Sequence, residues 1–268
     1  MPLNLEQATS LIVERARQLV SQLVENRGQD SPPFLSEEYA HLLGIKRIEK
    51  ADLEEVSAIL LKLRDGDVIR VNQDHNLARQ NFSCAHEIGH VLLSELKLEP
   101  CIDDVEFRTF NPQDRERLCD AAAAELLMPE MVFKKYLSSL GASINSLESL
   151  ANIFRVSIRA AAIRIAELST EPCIALLWRL QPGTKSKALR LAWRVGPGKK
   201  FRGKANYMPV DTLVRHTSTL YKAYQGANPI KSSKLFKLDT GVERCSMESK
   251  GFGRKETRYV ISLAFPDR

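Results

Sequence analysis

This chain has little that would anchor it, staple it or repeat it. No apolar run reaches the roughly 20 residues that a membrane-spanning helix needs, so no membrane partner is expected. Leu5 to Asn26 is amphipathic and well charged, which is not the pattern of a secretory signal. The 5 cysteines, Cys84, Cys101, Cys119, Cys173 and Cys245, form an odd, scattered set without a CxxC pair. Such usage argues against a disulfide framework and for reduced thiols in the cytoplasm. Neither an internal repeat nor a low-complexity segment occurs. A length of 268 residues, 44% of them hydrophobic, suits a globular chain with a sizeable core and two or three domains.

Charge is unevenly divided. Residues 171–268 carry a balance of +13 against −7 for the remainder. Within the basic part, Lys199, Lys200, Phe201, Arg202 and Lys204 interleave cations with an aromatic ring, as do Arg254, Lys255, Arg258 and Tyr259. Such a surface attracts phosphates and can stack unpaired bases, so single-stranded nucleic acid is a candidate partner. A solvated face, or one that docks the acidic front of the same chain, is the plainer reading.

The densest chemical signal is His86-Glu87-Ile88-Gly89-His90. Histidines four apart on a helix project about 40° apart, so both rings face one side and suit two ligands of a tetrahedral zinc. Glu87 lies beside them, placed to take a proton from a metal-activated water. Apolar Phe82, Ala85, Gly89, Leu92 and Leu93 recur at helical spacing, which predicts one amphipathic helix over Leu77 to Leu96. Gly89 is a poor helix former and would let another backbone or a substrate come close.

Zinc needs a third protein ligand. Asn111 and Pro112 form a helix start, and the pattern runs to Met128, before Pro129. Glu116 and Asp120 share one face of it, whereas Glu125, nine residues beyond Glu116, points the other way. Glu116 is therefore read as the third metal ligand. Asp120, one turn on, suits the free ring N–H of a ligand histidine. Glu125 is read as part of a solvated face. Cys84 and Cys119 lie on these two helices and are read as core residues, with accidental ligation the alternative.

Two stretches carry a family resemblance. Phe82 to Leu93 (FSCAHEIGHVLL) and Glu116 to Pro129 (ERLCDAAAAELLMP) resemble the ImmA/IrrE metallopeptidases. Leu77 to Phe82 matches that family's approach to the motif, and Leu147 to Leu168 its helix-turn-helix-like segment. The resemblance covers about residues 35–170; the tail is similar mainly to long, IrrE-like members with a GAF-like sensor. It implies zinc bound by His86, His90 and Glu116, Glu87 as general base, and cleavage of a helix-turn-helix repressor in a stress or mobile-element response. Cys119-Asp120 departs from the Ala-Asn of many members, which weakens the assignment of Asp120.

The expected fold class is α+β: a zincin-like metallopeptidase domain at 1–140, a helix-turn-helix-like segment at 141–170, and a mixed α/β, GAF-like domain at 171–268. Helices are expected at Leu5 to Arg27, from a Ser36 cap through Leu43, and at Glu130 to Leu140. Two more follow Ser143 and Ser157. A hairpin is expected from Ala58–Leu63 and Val68–Asn72, its edge available to an extended peptide. Further strands are expected at Cys173–Leu180, Ala188–Val195 and Arg258–Phe265. The competing function is a non-catalytic DNA-binding regulator with a structural metal.

Overall fold

Asn4 opens the first helix, α1 (Leu5–Arg27): its side chain accepts the Gln7 N–H while Gln7 answers the Asn4 N–H, and Gly28 closes the helix at φ 66°. The computed structural model describes residues 3–98, 110–181, 188–196, 211–238, 241–254 and 257–267, with backbone alone at 235–238 and 241–243. The architecture is mixed α/β and divides into two compact units. One holds Met1–Phe133 with Asn152–Ser157, the other Lys134–Ala151 with Ile158–Arg268.

In the first unit α1 is followed by α2 (Ser36–Leu42), β1 (Arg47–Ala51), β2 (Ala58–Leu61), β3 (Val68–Asn72), α3 (Leu77–Glu95) and α4 (Pro112–Leu127). Leu35, not Ser36, stands at the α2 N-cap and has no capping side chain; Asn81 Oδ1 accepts the Ser36 N–H at 2.8 Å. The sheet order is β1-β3-β2, so the hairpin strand β2 is an edge. β1 escaped the sequence reading: Arg47-Ile-Glu-Lys-Ala has too little apolar alternation, and it joins parallel to β3. Its charges are paired, with Glu49 accepting from Arg47 on its own strand and from Arg70 across the sheet on β3.

Two helices carry the motif residues. Asn76 caps α3 by accepting the Arg79 N–H, and Asn111 caps α4 by accepting that of Asp114, with Pro112 at the first position. Ala85, Ile88, Leu92 and Leu93 of α3 and Leu118, Ala122, Ala123, Leu126 and Leu127 of α4 are fully buried. Gly89 sets the approach of these helices. A Cβ there would lie 2.8 Å from Cys119 Cα, so what the missing side chain admits is the α4 backbone.

In α5 (Glu130–Leu140), Phe133 packs on Phe154, ring centroids 5.1 Å apart. α6 (Ile144–Ile153) and α7 (Ile158–Leu168) follow. α7 lays Ala161, Ala162, Ile165 and Ala166 inward and packs on the second unit's sheet, so its alanines serve packing. That sheet is antiparallel throughout and comprises β4 (Ile174–Leu180), β5 (Ala188–Val195), β6 (Leu213–Arg215), β7 (Ile230–Leu238), β8 (Gly241–Phe252) and β9 (Tyr259–Pro266), in the order 6-5-4-9-8-7. A short helix, α8 (Thr219–Gln225), covers a face whose core holds Ile174, Leu176, Trp178, Leu191, Met247 and Val260. Within this apolar core the Trp178 indole donates to Ser262 Oγ at 3.1 Å, and Ser262 meets Ser249 at 2.8 Å. These three buried polar side chains thereby satisfy one another.

Candidate metal centre

α3 presents His86, Glu87 and His90 near the α4 residues Glu116, Cys119 and Asp120. His86 Nε2 lies 3.1 Å from Glu116 Oε2, and His90 Nε2 lies 3.7 Å from Glu116 Oε1. One carboxylate therefore faces both imidazoles. On the other side of its ring, His86 Nδ1 is 2.9 Å from Asp120 Oδ1. A carboxylate only accepts, so the ring donates to Asp120 from Nδ1 and, when protonated, to Glu116 from Nε2; loss of the Nε2 proton would free that nitrogen for a metal. Glu116 and Asp120 are about 60% exposed at their side chains, whereas those of His86 and His90 are only 15% and 25% exposed. The imidazoles are held by the fold, and the acids form the rim.

Glu87 faces the edge strand. The Leu60 N–H donates to Glu87 Oε2 at 3.0 Å, which anchors one carboxylate oxygen. Burial pushes the Glu87 carboxyl above its usual range, against the opposing pull of His90, His86 and the Leu60 N–H. Burial pulls His86 down, but the Asp120 hydrogen bond and the charges of Asp120, Glu116 and Glu87 outweigh it and raise the imidazole. Three carboxylates around two imidazoles make a place where a cation is favoured, and nitrogen with oxygen is a donor set that zinc accepts.

A second possible ligand lies deeper. Donor atoms of His86, His90 and Cys119 all fall within 4.8 Å of one another. Cys119 is fully buried, as the core reading requires, but it also lines the candidate centre. Cys84, equally buried on α3, is outside this group, and burial pushes its thiol up to about 12.

Glu125 departs from expectation. It points away from the histidines, yet it is 2% exposed and not part of a solvated face. Arg17 of α1 donates to its Oε1 at 3.2 Å, and the Glu130 N–H donates to the same oxygen at 3.1 Å. Helical phase gave its direction; α1, packed there, supplied the burial.

The basic patch is only partly in view. Lys199, Lys200, Arg202, Lys204 and Lys255, like Cys101, Phe201 and Tyr207, lie outside the described residues. Arg254 is exposed. Arg258 is engaged locally: it donates to the carbonyls of Tyr224 and Gly226 at the end of α8 and lies over the Tyr224 ring. Tyr259 stacks on Phe252, ring centroids 6.0 Å apart.

Residues 40–166 match the Peptidase M78 family, described as an IrrE N-terminal-like domain. This segment of the chain is thus similar to the ImmA/IrrE metallopeptidases. It is 37% identical over 109 residues to the radiation response metalloprotease IrrE of Deinococcus radiodurans, an overlap of 40% of this chain and 33% of that protein. It is 35% identical over 109 residues to the protein of the same description from Deinococcus deserti, covering 40% and 38% of the two chains. The overlap thus spans about a third of these relatives' length. A Mycobacterium tuberculosis transcriptional regulator shares the fold, with a TM-score of 0.62 at 14% identity over 98% of this chain and 82% of that one. The α3–α4 pair with His86, Glu87, His90, Glu116, Cys119 and Asp120 falls inside the ImmA/IrrE segment. Among the described residues no helix is long and apolar enough to cross a membrane.

Proposed function

We propose that this ImmA/IrrE-like chain is a cytoplasmic, zinc-dependent, site-specific endopeptidase that cleaves a helix-turn-helix repressor. The cleavage would switch on a stress, DNA-damage or mobile-element response. The observation that carries this reading is one carboxylate, Glu116, facing both His86 and His90, with Glu87 between the histidines in sequence. The radiation-response relatives support it.

In this reading His86, His90 and Glu116 hold the metal and Asp120 orients His86. When bound, zinc supplies a Lewis acid for the scissile carbonyl and lowers the pKa of water. Glu87 does the proton work. Its Oε2 is held by the Leu60 N–H, so Oε1 takes the proton from the attacking water and returns it to the leaving amine nitrogen. β2 is the edge of its sheet, and an extended substrate can add to it as a further strand. Ile59 on β2 and Leu63, two residues beyond its end, are 41% and 45% exposed and give that edge an apolar character. Co-expression with a candidate helix-turn-helix repressor is the test. A repressor cut at one bond, and uncut with Glu87→Gln, supports the reading; an intact repressor beside zinc-loaded enzyme opposes it.

Regulation is assigned to the 171–268 part, read as a GAF-like sensor domain that binds single-stranded nucleic acid. The +13 balance of that part supports it. Affinity of the full chain for a single-stranded oligonucleotide should fall steeply with salt, because each neutralised phosphate releases a counterion. Reversing the charges of Lys199, Lys200, Arg202 and Lys204 should weaken binding and leave zinc in place. Binding that ignores salt would favour a small ligand in an apolar pocket instead.

A further inference from the structure

We propose that Cys119 is a direct ligand of the metal, closing the shell of His86, His90 and Glu116 from the protein interior. The inference rests on the metal centre proposed above and goes beyond it, since a thiolate alters both the donor set and the resting state of the site.

The geometry places the residue there. Glu116 and Cys119 are three apart on α4, so they sit on neighbouring turns of one helix face. One reaches the histidines from the solvent rim and the other from below. The Cys119 donor lies within 4.8 Å of both the His86 and the His90 donor, a triangle that one ion can draw together. The approach is set by the backbone. Gly89, between the histidines, has no Cβ, and Cys119 Cα fills that space. A larger residue at Gly89 would push α4 away and carry the sulfur out of reach.

Four protein ligands make a closed shell, whereas a catalytic zinc keeps one position open. With Cys119 bound, the site is therefore at rest, and release of one α4 ligand opens it. Release of Cys119 leaves the His86, His90 and Glu116 set proposed above, with one position open. The arrangement gives a latent peptidase, closed while the Cys119 thiolate is bound. A soft sulfur donor also biases the site toward zinc or cobalt and against magnesium or manganese.

Cobalt reports this directly. The full chain, freed of metal and given one equivalent of Co(II), should show a sulfur-to-cobalt charge-transfer band in the near ultraviolet alongside the visible d–d bands. Cys119→Ala should lose the near-ultraviolet band, and Cys84→Ala should keep it. Zinc affinity of Cys119→Ala, read by competition with a chromophoric chelator, should drop at least about tenfold, the smallest loss that removal of an outer partner brings. Cys119→Ser, close in size to the native residue, serves if the alanine variant does not fold. Cobalt bound without the near-ultraviolet band, or a band that survives both Cys119 variants, overturns the thiolate ligand and leaves the His-His-Glu centre standing. No cobalt uptake, or uptake that survives His86→Ala, removes the centre and the thiolate with it.

Discussion

The main-chain N–H of Leu60 and the carboxylate of Glu87 are joined by a hydrogen bond of 3.0 Å, which ties the edge strand β2 to the motif helix α3. The group proposed as base is thus oriented by the strand proposed to hold the substrate. The first prediction follows from this geometry. Glu87→Gln keeps an oxygen for the Leu60 N–H and should keep fold and zinc, while cleavage falls by about 10²–10⁴-fold, the range for loss of a general base. His86→Ala should lose the metal as well. Metal analysis beside a cleavage assay separates the two, and full activity in the glutamine variant removes Glu87 from the proton transfer.

Glu116 and Glu125 should fail in different ways. Glu116→Ala should lower zinc affinity and barely change the melting of metal-free protein, because its side chain is 59% exposed. Glu125→Ala should retain zinc but lose about 2 kcal/mol of stability, since two hydrogen bonds to a buried carboxylate are removed. Asp120→Ala should weaken zinc binding about 10–100-fold through the freed His86 ring. A Glu125 variant that loses zinc while Glu116→Ala retains it would invert the assignment.

Gly89→Ala sets two effects against each other. Alanine is the better helix former by about 1 kcal/mol. Its Cβ, however, would stand 2.8 Å from Cys119 Cα, and backbone cannot rotate aside. Overpacking costs about 1–3 kcal/mol, so the variant should be less stable on balance and bind metal more weakly as α3 and α4 separate. A thermal melt and a zinc titration check both, and a Gly89→Ala protein more stable than wild type would mean that the two helices are not held this closely.

Lys234 gives a pH signature outside the metal centre. Burial lowers its pKa from the ordinary 10.5, although its ammonium lies 5.8 Å from the centre of the Trp178 ring. A group with a depressed folded pKa lends stability above its unfolded pKa and loses it as pH falls through the folded value. Charged Lys234 therefore costs stability at neutral pH. Lys234→Met should raise the denaturation midpoint near pH 7, and the advantage should shrink as pH climbs toward 10.5. A constant difference across that window would assign the effect to packing rather than charge.

Helix boundaries were the most legible part of the fold. Asn111 with Pro112 marked α4, and Gly28 and Gly141 closed α1 and α5, because capping chemistry is local. Strand content was less legible. β1 has only Ile48 and the small Ala51 among its charges, and β7 runs Ile-Lys-Ser-Ser-Lys before its next apolar residue. Such segments become strands because a neighbour offers a ladder, as β3 does for β1. α8 has only 7 residues, too few for a periodic signal.

At the candidate centre the sequence by itself determined the spacing of His86, Glu87 and His90 and the shared face of Glu116 and Asp120. Both follow from the fixed 3.6-residue turn of a helix. Only the tertiary structure decided what faces those side chains. It set Glu116 against both imidazoles, gave Glu87 the Leu60 N–H, buried Glu125 beneath α1 with Arg17, and drew Cys119 to the histidines through the gap at Gly89. The reason is physical. Helical phase is a property of one segment, whereas burial, ion pairing and donor reach depend on which second segment packs there, and distant residues make that choice together.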